Sequence, residues 1–211
     1  MRFACFDPAD NGDMGCDCSF CGDQTQNGPV VPRRAALAGI GAAFAALTFV
    51  PAAVEAAPVR LPATRGLSFV NVNTHESWNG VYWRDGKLDE AAGKAIARIL
   101  RDHRTGAHAR LNVPLLDALW RVGNRLDADE PWRILSAYRT TRSQNQIRRV
   151  EKTAARHSMH TLGRAVDVTM SGRSPNAIAA VARREKIGGI GNYGKRGFVH
   201  LDTGPYRTWR R

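Results

Sequence analysis

The stretch from Ser158 to Asp167, answered by Phe198 to Asp202, limits the folds open to this chain more than any other. In a strand, successive side chains point to opposite faces. A strand over Arg164 to Met170 puts Ala165, Asp167 and Thr169 on one face and Val166, Val168 and Met170 on the other. A strand over Phe198 to Asp202 aims His200 and Asp202 one way and sends Val199 and Leu201 into a core. Laid side by side, these strands place Asp167, His200 and Asp202 on one wall of a cleft. His160 reaches in from the preceding loop, and Gly163 supplies the turn between them. Two histidines and one carboxylate leave a fourth position open for water, as in a catalytic rather than a closed structural zinc site. The spacing of His160 and Asp167 is not specific by itself, and a single strand histidine is commonly a core or surface residue. An aspartate between Val166 and Val168 is harder to dismiss, because an unpaired carboxylate in an apolar run is costly.

The first thirty or so residues do not read as core. They are polar and hold all four cysteines, Cys5, Cys16, Cys18 and Cys21. The Cys-x-Cys-x-x-Cys cluster lacks a second half and a nearby histidine, so a disordered leader or an upstream start codon competes with a metal site. Pro32-Arg33-Arg34 precedes the apolar run Ala35 to Val50, which is short against the ~20 residues of a membrane span. Paired arginines, a mild Ala/Gly-rich run and Val54-Glu55-Ala56 read as a twin-arginine export signal with its cleavage site. An uncleaved N-terminal anchor is the alternative. The expected organisation is a leader over 1–56 and one domain over 57–211, exported to the periplasm or cell envelope, with no stable membrane span once the signal is cleaved. The mature part then contains no cysteine and needs no disulfide in an oxidising compartment.

Removing the three arginines and six acidic residues of 1–56 leaves 28 basic against 13 acidic residues, a formal +15. Such a balance attracts polyanions, whether nucleic acid, anionic lipid or an acidic wall polymer. No nucleic-acid-reading motif accompanies it, so no nucleic-acid partner is expected. Solvated arginines on helix faces account for part of the count.

Along the mature part, Phe69 to Val72 and Val81 to Trp83 read as a hairpin joined by a polar loop around His75, Glu76 and Asn79-Gly80. His75 and Glu76 fit a structural or rim role better than a metal pair. Leu88 to His103 is helical by its three-and-four spacing, and Asn112 caps a second helix beginning at Val113-Pro114. Trp132 to Tyr138 reads as a central strand delivering Arg139 to a cleft mouth, followed by a polar helix from Thr140 to Arg156. Ser174-Pro175 opens a short helix. Gly188 to Gly194 lacks the lysine-serine pattern of a phosphate cradle and reads as a flexible rim leading to His200. The tail packs back on the sheet through Tyr206 and Trp209.

Ser158-x-His160-x-x-Gly163-x-Ala165-x-Asp167, followed by Phe198-Val199-His200-Leu201-Asp202, resembles the signature of the D-alanyl-D-alanine metallopeptidase family, and most nearly its YcbK-type branch, the murein endopeptidase K-like group. Tyr82-Trp83-Arg84-Asp85-Gly86, Ser136-Ala137-Tyr138-Arg139 and Phe198 to Trp209 carry the likeness over nearly all of the chain after the signal. The resemblance implies an α+β fold of the hedgehog/D-Ala-D-Ala-peptidase type, a small antiparallel sheet flanked by helices with Zn2+ in a cleft. It implies His160, Asp167 and His200 as metal ligands, with Arg139, Tyr138 and Ser158 contacting substrate. The implied substrate is peptidoglycan, cut by an endopeptidase at peptide stems or cross-links, conceived as a monomeric enzyme. A fixed guanidinium at Arg139 suits stabilisation of oxyanion charge.

The sequence departs from the better-known relatives at Gly197, where they carry a Glu or Asp three positions before the last zinc histidine. Asp202 and His157 are the replacement candidates for the base that amide cleavage needs, and Asp202 is equally placed to orient His200. A DD- or LD-carboxypeptidase, a catalytically silent zinc-containing wall-binding module, and a basic polyanion binder with an incidental His/Asp pattern are the competing readings.

Overall fold

Four helices begin where a side-chain oxygen meets an orphan amide. Asp89, Asn112, Thr140 and Ser174 accept from the backbone N–H groups of Ala92, Leu115, Ser143 and Ala177, opening α1 (Glu90–Ile99), α2 (Val113–Arg125), α3 (Thr141–Val150) and α4 (Pro175–Arg184). Such caps contribute about 1 kcal/mol each. Proline in the first turn of α2 and of α4 forgoes an N–H that would lack a partner there anyway. The computed structural model describes residues 60–211. The expected export signal, the expected domain boundary at Ala56 and the four cysteines lie outside the described residues.

Among the described residues eight strands accompany these helices: β1 (Thr64–Asn71), β2 (Ser77–Arg84), β3 (Lys87–Leu88), β4 (Trp132–Ser136), β5 (Ala165–Thr169), β6 (Gly189–Tyr193), β7 (Phe198–Asp202) and β8 (Arg207–Arg210). They form one sheet in the order β3-β2-β1-β4-β5-β7-β6-β8. The α+β class holds, but the sheet is neither small nor purely antiparallel. β1 pairs with β4 in parallel, as does β6 with β8, and the other pairs are antiparallel. The parallel β1–β4 pairing follows from a long crossover through α1 and α2, which a hairpin turn cannot provide.

The hairpin is tighter than its sequence suggests. Asn79 and Gly80 lie within β2, opposite Ser68 and Leu67. The reversal sits between Asn71 and Ser77, where the Asn71 side-chain oxygen accepts from the backbone of Asn73 at 2.9 Å and Thr74 at 3.2 Å. The helix expected from Thr140 to Arg156 stops at Val150.

Gly188 to Gly194 is corrected more fundamentally. Instead of a flexible rim, Gly189–Tyr193 is a buried strand between β7 and β8. Its glycines admit close neighbours: a Cβ on Gly191 would lie 2.5 Å from the Trp209 ring. Glycine is depleted in strands, and here the absence of a side chain is what the packing requires.

Val166 and Val168 of β5, Val199 and Leu201 of β7, and Ile190 of β6 join Ile178, Ala179 and Ala182 of α4 in a core that continues to Phe69, Ile96, Leu116 and Leu119. The alternation inferred for β5 and β7 thus has its apolar face in this core and its polar face on the opposite side.

Candidate metal centre

β5 and β7 pair so that Asp167 stands opposite His200 and Ala165 opposite Asp202. His160 comes from a short 3₁₀ turn, Met159–Leu162, whose first residue follows the Ser158 cap and whose end is Gly163 in the left-handed region at φ +65°. Glycine takes that conformation without the cost a Cβ would carry. The turn brings the His160 ring within reach of β5 and β7.

Three donor atoms converge. His160 Nε2 lies 3.1 Å from His200 Nδ1 and 3.3 Å from Asp167 Oδ1, and His200 Nδ1 lies 3.0 Å from that same oxygen. A tetrahedral ion with bonds of about 2.0–2.1 Å separates its ligand atoms by about 3.3 Å. The triangle therefore fits a zinc ion, and a nitrogen, nitrogen and oxygen set is the chemistry such an ion takes.

The second atoms of these side chains are held as well. His160 Nδ1 donates to the Ala137 carbonyl oxygen at 2.6 Å, which assigns the lone pair to Nε2. His200 Nε2 lies 2.9 Å from Asp202 Oδ2, so donation to that carboxylate leaves Nδ1 free to bind. Asp167 Oδ2 accepts from Arg139 Nη2. Arg139 is itself fixed, donating from Nε to Ser136 Oγ at 2.7 Å and from Nη1 to Gln144 Oε1 at 3.4 Å.

Electrostatics follow from burial and pairing. Burial pushes the His160 imidazole below its ordinary range, only partly opposed by Asp167. Burial also pulls His200 down, but hydrogen bonds to Asp167 and Asp202 outweigh it and leave His200 raised. For Asp167, burial raises the carboxyl, and the two imidazoles more than reverse this, holding it well below the usual carboxylate range. A buried carboxylate kept ionised beside a neutral imidazole is a ready cation ligand.

The triangle forms part of the wall of a cleft of about 390 Å³. Trp209 and the stacked pair Tyr193 and Phe198 line it, the ring centres of that pair 4.6 Å apart. Trp209 lies 5.2 Å from the His200 ring and donates from Nε1 to the Tyr193 hydroxyl at 3.1 Å. Residues between Glu151 and Ser158 also contribute to the lining, and Glu151 is bound by both terminal nitrogens of Arg196, at 2.9 and 3.0 Å.

The remaining site residues fall in different places. Asp202 faces the same way as His200, yet it is fully buried and accepts from Gly189 N, Gly204 N and Arg207 in addition to His200. His157 is exposed on the cleft wall, and Ser158 lines the cleft while its hydroxyl accepts from His160 N at 3.4 Å. Tyr138 lies outside the cleft wall, on a separate small cavity with Leu100 and Ala165. Tyr206 is 57% exposed, so Trp209 alone of the two tail aromatics packs inward. His75 and Glu76 do not line the cleft, and Glu76 pairs with Arg98 and Arg101.

Sequence reasoning missed the Ala137 carbonyl, the Arg207–Asp202 pair and the Gln144 link to Arg139. A backbone oxygen carries no residue signal. The arginine five positions after Asp202 is legible only once β8 is known to return beside β6.

Residues 60–209 match a family model described as peptidoglycan L,D-endopeptidase MepK. The peptidoglycan L,D-endopeptidase MepK of Escherichia coli strain K12 is 32% identical over 155 residues, covering 72% of this chain and 84% of that protein. The probable peptidoglycan L,D-endopeptidase MepK of Haemophilus influenzae is 28% identical, covering 73% and 83%. The solved structure of Serratia marcescens L-Ala D-Glu endopeptidase ChiX aligns with a TM-score of 0.34 at 19% identity, over 44% of this chain and 80% of that one.

Proposed function

The chain belongs to the peptidoglycan L,D-endopeptidase MepK family, and we propose on that premise that it is a zinc-dependent endopeptidase that hydrolyses an L,D peptide bond in the cross-links of peptidoglycan. The observation that carries the metal reading is the triangle of His160 Nε2, Asp167 Oδ1 and His200 Nδ1 at the wall of an open cleft. His160, Asp167 and His200 are its ligands. A zinc ion held there supplies Lewis acidity to a peptide carbonyl and to water.

The chain's own groups do the rest. The Ala137 carbonyl and Asp202 fix the ring orientation and tautomer of the two histidines, and Arg139 fixes the carboxylate of Asp167. Asp202 is assigned to this positioning role rather than to proton transfer, because a buried carboxylate already accepting from His200, two amides and an arginine has no free face toward substrate.

Proton transfer needs another group. Outside the ligand triangle, the cleft wall offers Glu151 and His157. Hydrogen bonds from Arg196 lower the Glu151 pKa and occupy both its oxygens, which makes it a weak base. His157, exposed on the same wall, is the proposed group that takes the proton from water and returns it to the leaving amine. Arg139 and Ser158 are the proposed polar contacts to substrate at the cleft. The basic mature part suits an acidic wall polymer, and the twin-arginine-like leader suits export to the periplasm or cell envelope. Among the described residues no helix is long and apolar enough to cross a membrane.

One observation favours a second reading. Gly197 has φ +77° and no carboxylate, so a zinc-containing wall-binding module without turnover is the alternative. Digesting purified peptidoglycan with the wild type and with His200→Ala, then profiling released muropeptides, separates the two. New cross-link products from the wild type alone support hydrolysis, and identical profiles reject it.

A further inference from the structure

A second depression, of about 500 Å³, lies beside the metal cleft. Gln144, His157, Ser158 and Met159 line both, so the chain around 157–159 is a partition between them. That partition is anchored. Gln144 is buried, donates from Nε2 to the Ala155 carbonyl at 2.9 Å, and accepts from Arg139, the guanidinium that holds Asp167.

The two depressions differ in acidic lining. In the metal cleft Arg139, Arg196 and Arg207 each face a carboxylate, those of Asp167, Glu151 and Asp202, while Arg211 donates to the Thr153 hydroxyl at 2.6 Å. In the second groove Arg148 and Arg156 stand without an acidic residue in the lining, and among the described residues neither has an ion-pair partner. Met159 and Leu162, the latter 61% exposed, give the groove an apolar strip beside the two cations. A guanidinium with no internal carboxylate is free to bind one from outside in a two-pronged contact.

A cross-link has a peptide stem on either side of the bond to be cut, so an enzyme that cuts it must seat both. We propose that the groove seats the second, carboxylate-bearing stem of a cross-linked substrate, with Arg148 and Arg156 binding its carboxylates while the chain passes over the partition at Ser158. This inference rests on reading the metal cleft as an endopeptidase site for cross-links. It assigns the groove a role in choosing a two-stemmed substrate over a single stem.

The test uses the full chain and two soluble probes, a cross-linked muropeptide dimer and an uncross-linked monomer. Binding is measured by calorimetry in the His200→Ala chain, where turnover is blocked, with and without Arg148→Glu and Arg156→Glu. Turnover is measured separately in the chain with His200 intact. Both arginines are outside the core, so an unchanged thermal midpoint verifies folding. Dimer affinity is expected to fall about tenfold or more on charge reversal, with monomer affinity unchanged and KM rather than kcat moving in the active chain. Equal dimer affinity with and without the reversal overturns the groove, whatever the turnover shows. Loss of dimer affinity in a chain whose His200-intact form cuts nothing keeps the groove and removes the endopeptidase reading.

Discussion

Asp167 and His200 occupy directly opposed positions on β5 and β7, and the side chains meet at 3.0 Å between Asp167 Oδ1 and His200 Nδ1. Register alone therefore brings two of the three proposed ligands together, and only His160 depends on a turn. Replacing His200 or Asp167 by Ala is expected to abolish zinc retention and to lower peptidoglycan hydrolysis by more than about a thousandfold. Elemental analysis of the purified chain and muropeptide release check the two losses together. Wild-type zinc content in either variant would contradict the ligand assignment.

Asp202→Asn tests positioning against proton transfer. The amide can still accept from His200 but carries no charge. Metal affinity is expected to drop about 10–100-fold, measured by competition with a chelator, while activity at saturating zinc stays substantial. A collapse of kcat in the fully loaded variant would instead make Asp202 the proton carrier.

The acid limb of the stability curve is expected to depend on Glu76. Hydrogen bonds from Arg101 and then Arg98 lower its pKa from 4.5 to about 2. A carboxyl whose folded pKa is depressed adds stability above its unfolded value, and that contribution is lost as pH falls toward the folded one. Glu76→Gln should therefore be less stable than wild type at neutral pH, with the gap closing between about pH 4.5 and pH 2. Urea midpoints measured across this range check it, and a gap that stays constant with pH would rule it out.

Arg65 is a buried cation whose Nε donates to Asp117 Oδ1 at 2.9 Å and to the Tyr82 hydroxyl at 3.2 Å, while its guanidinium lies 4.6 Å from the Trp83 ring centre. Asp117→Ala strands that charge and should cost roughly 2–4 kcal/mol in equilibrium unfolding. The double change Arg65→Met with Asp117→Ala should recover part of the loss, because no unpaired charge is then buried. A double variant no more stable than the single one would remove this explanation.

Gly191→Ala brings a methyl group against the Trp209 ring, where the ideal Cβ position is 2.5 Å from the nearest ring atom. The expected result is a folded chain destabilised by roughly 1–3 kcal/mol. Tryptophan fluorescence should shift as Trp209 moves away from His200 and Tyr193, and activity should fall with it. An unchanged spectrum would mean the strand yields instead of the ring.

The juxtaposition of Asp167 and His200 was readable because period-two alternation in Val166-Asp167-Val168 and Val199-His200-Leu201 leaves little freedom in how the strands face. Asn112 and Ser174 were readable because a cap followed by proline is a local signal. What escaped was non-local. Gly189–Tyr193 reads as a loop until Trp209 and Asp202 are placed against it, since the space its glycines leave is occupied by residues far along the chain. The parallel pairings of β1 with β4 and of β6 with β8 are likewise invisible to periodicity, which reports which way a side chain points and not which strand lies next door.

Strand β8 carries both Arg207, which grips Asp202, and Trp209, which leans on His200. A translation product stopping short of Arg207 would possess both histidines, Asp167 and Asp202, yet lack the guanidinium that steadies Asp202 and the aromatic panel beside His200. The three converging side chains are thus encoded ahead of the strand that steadies them, and their arrangement waits on residues not yet added.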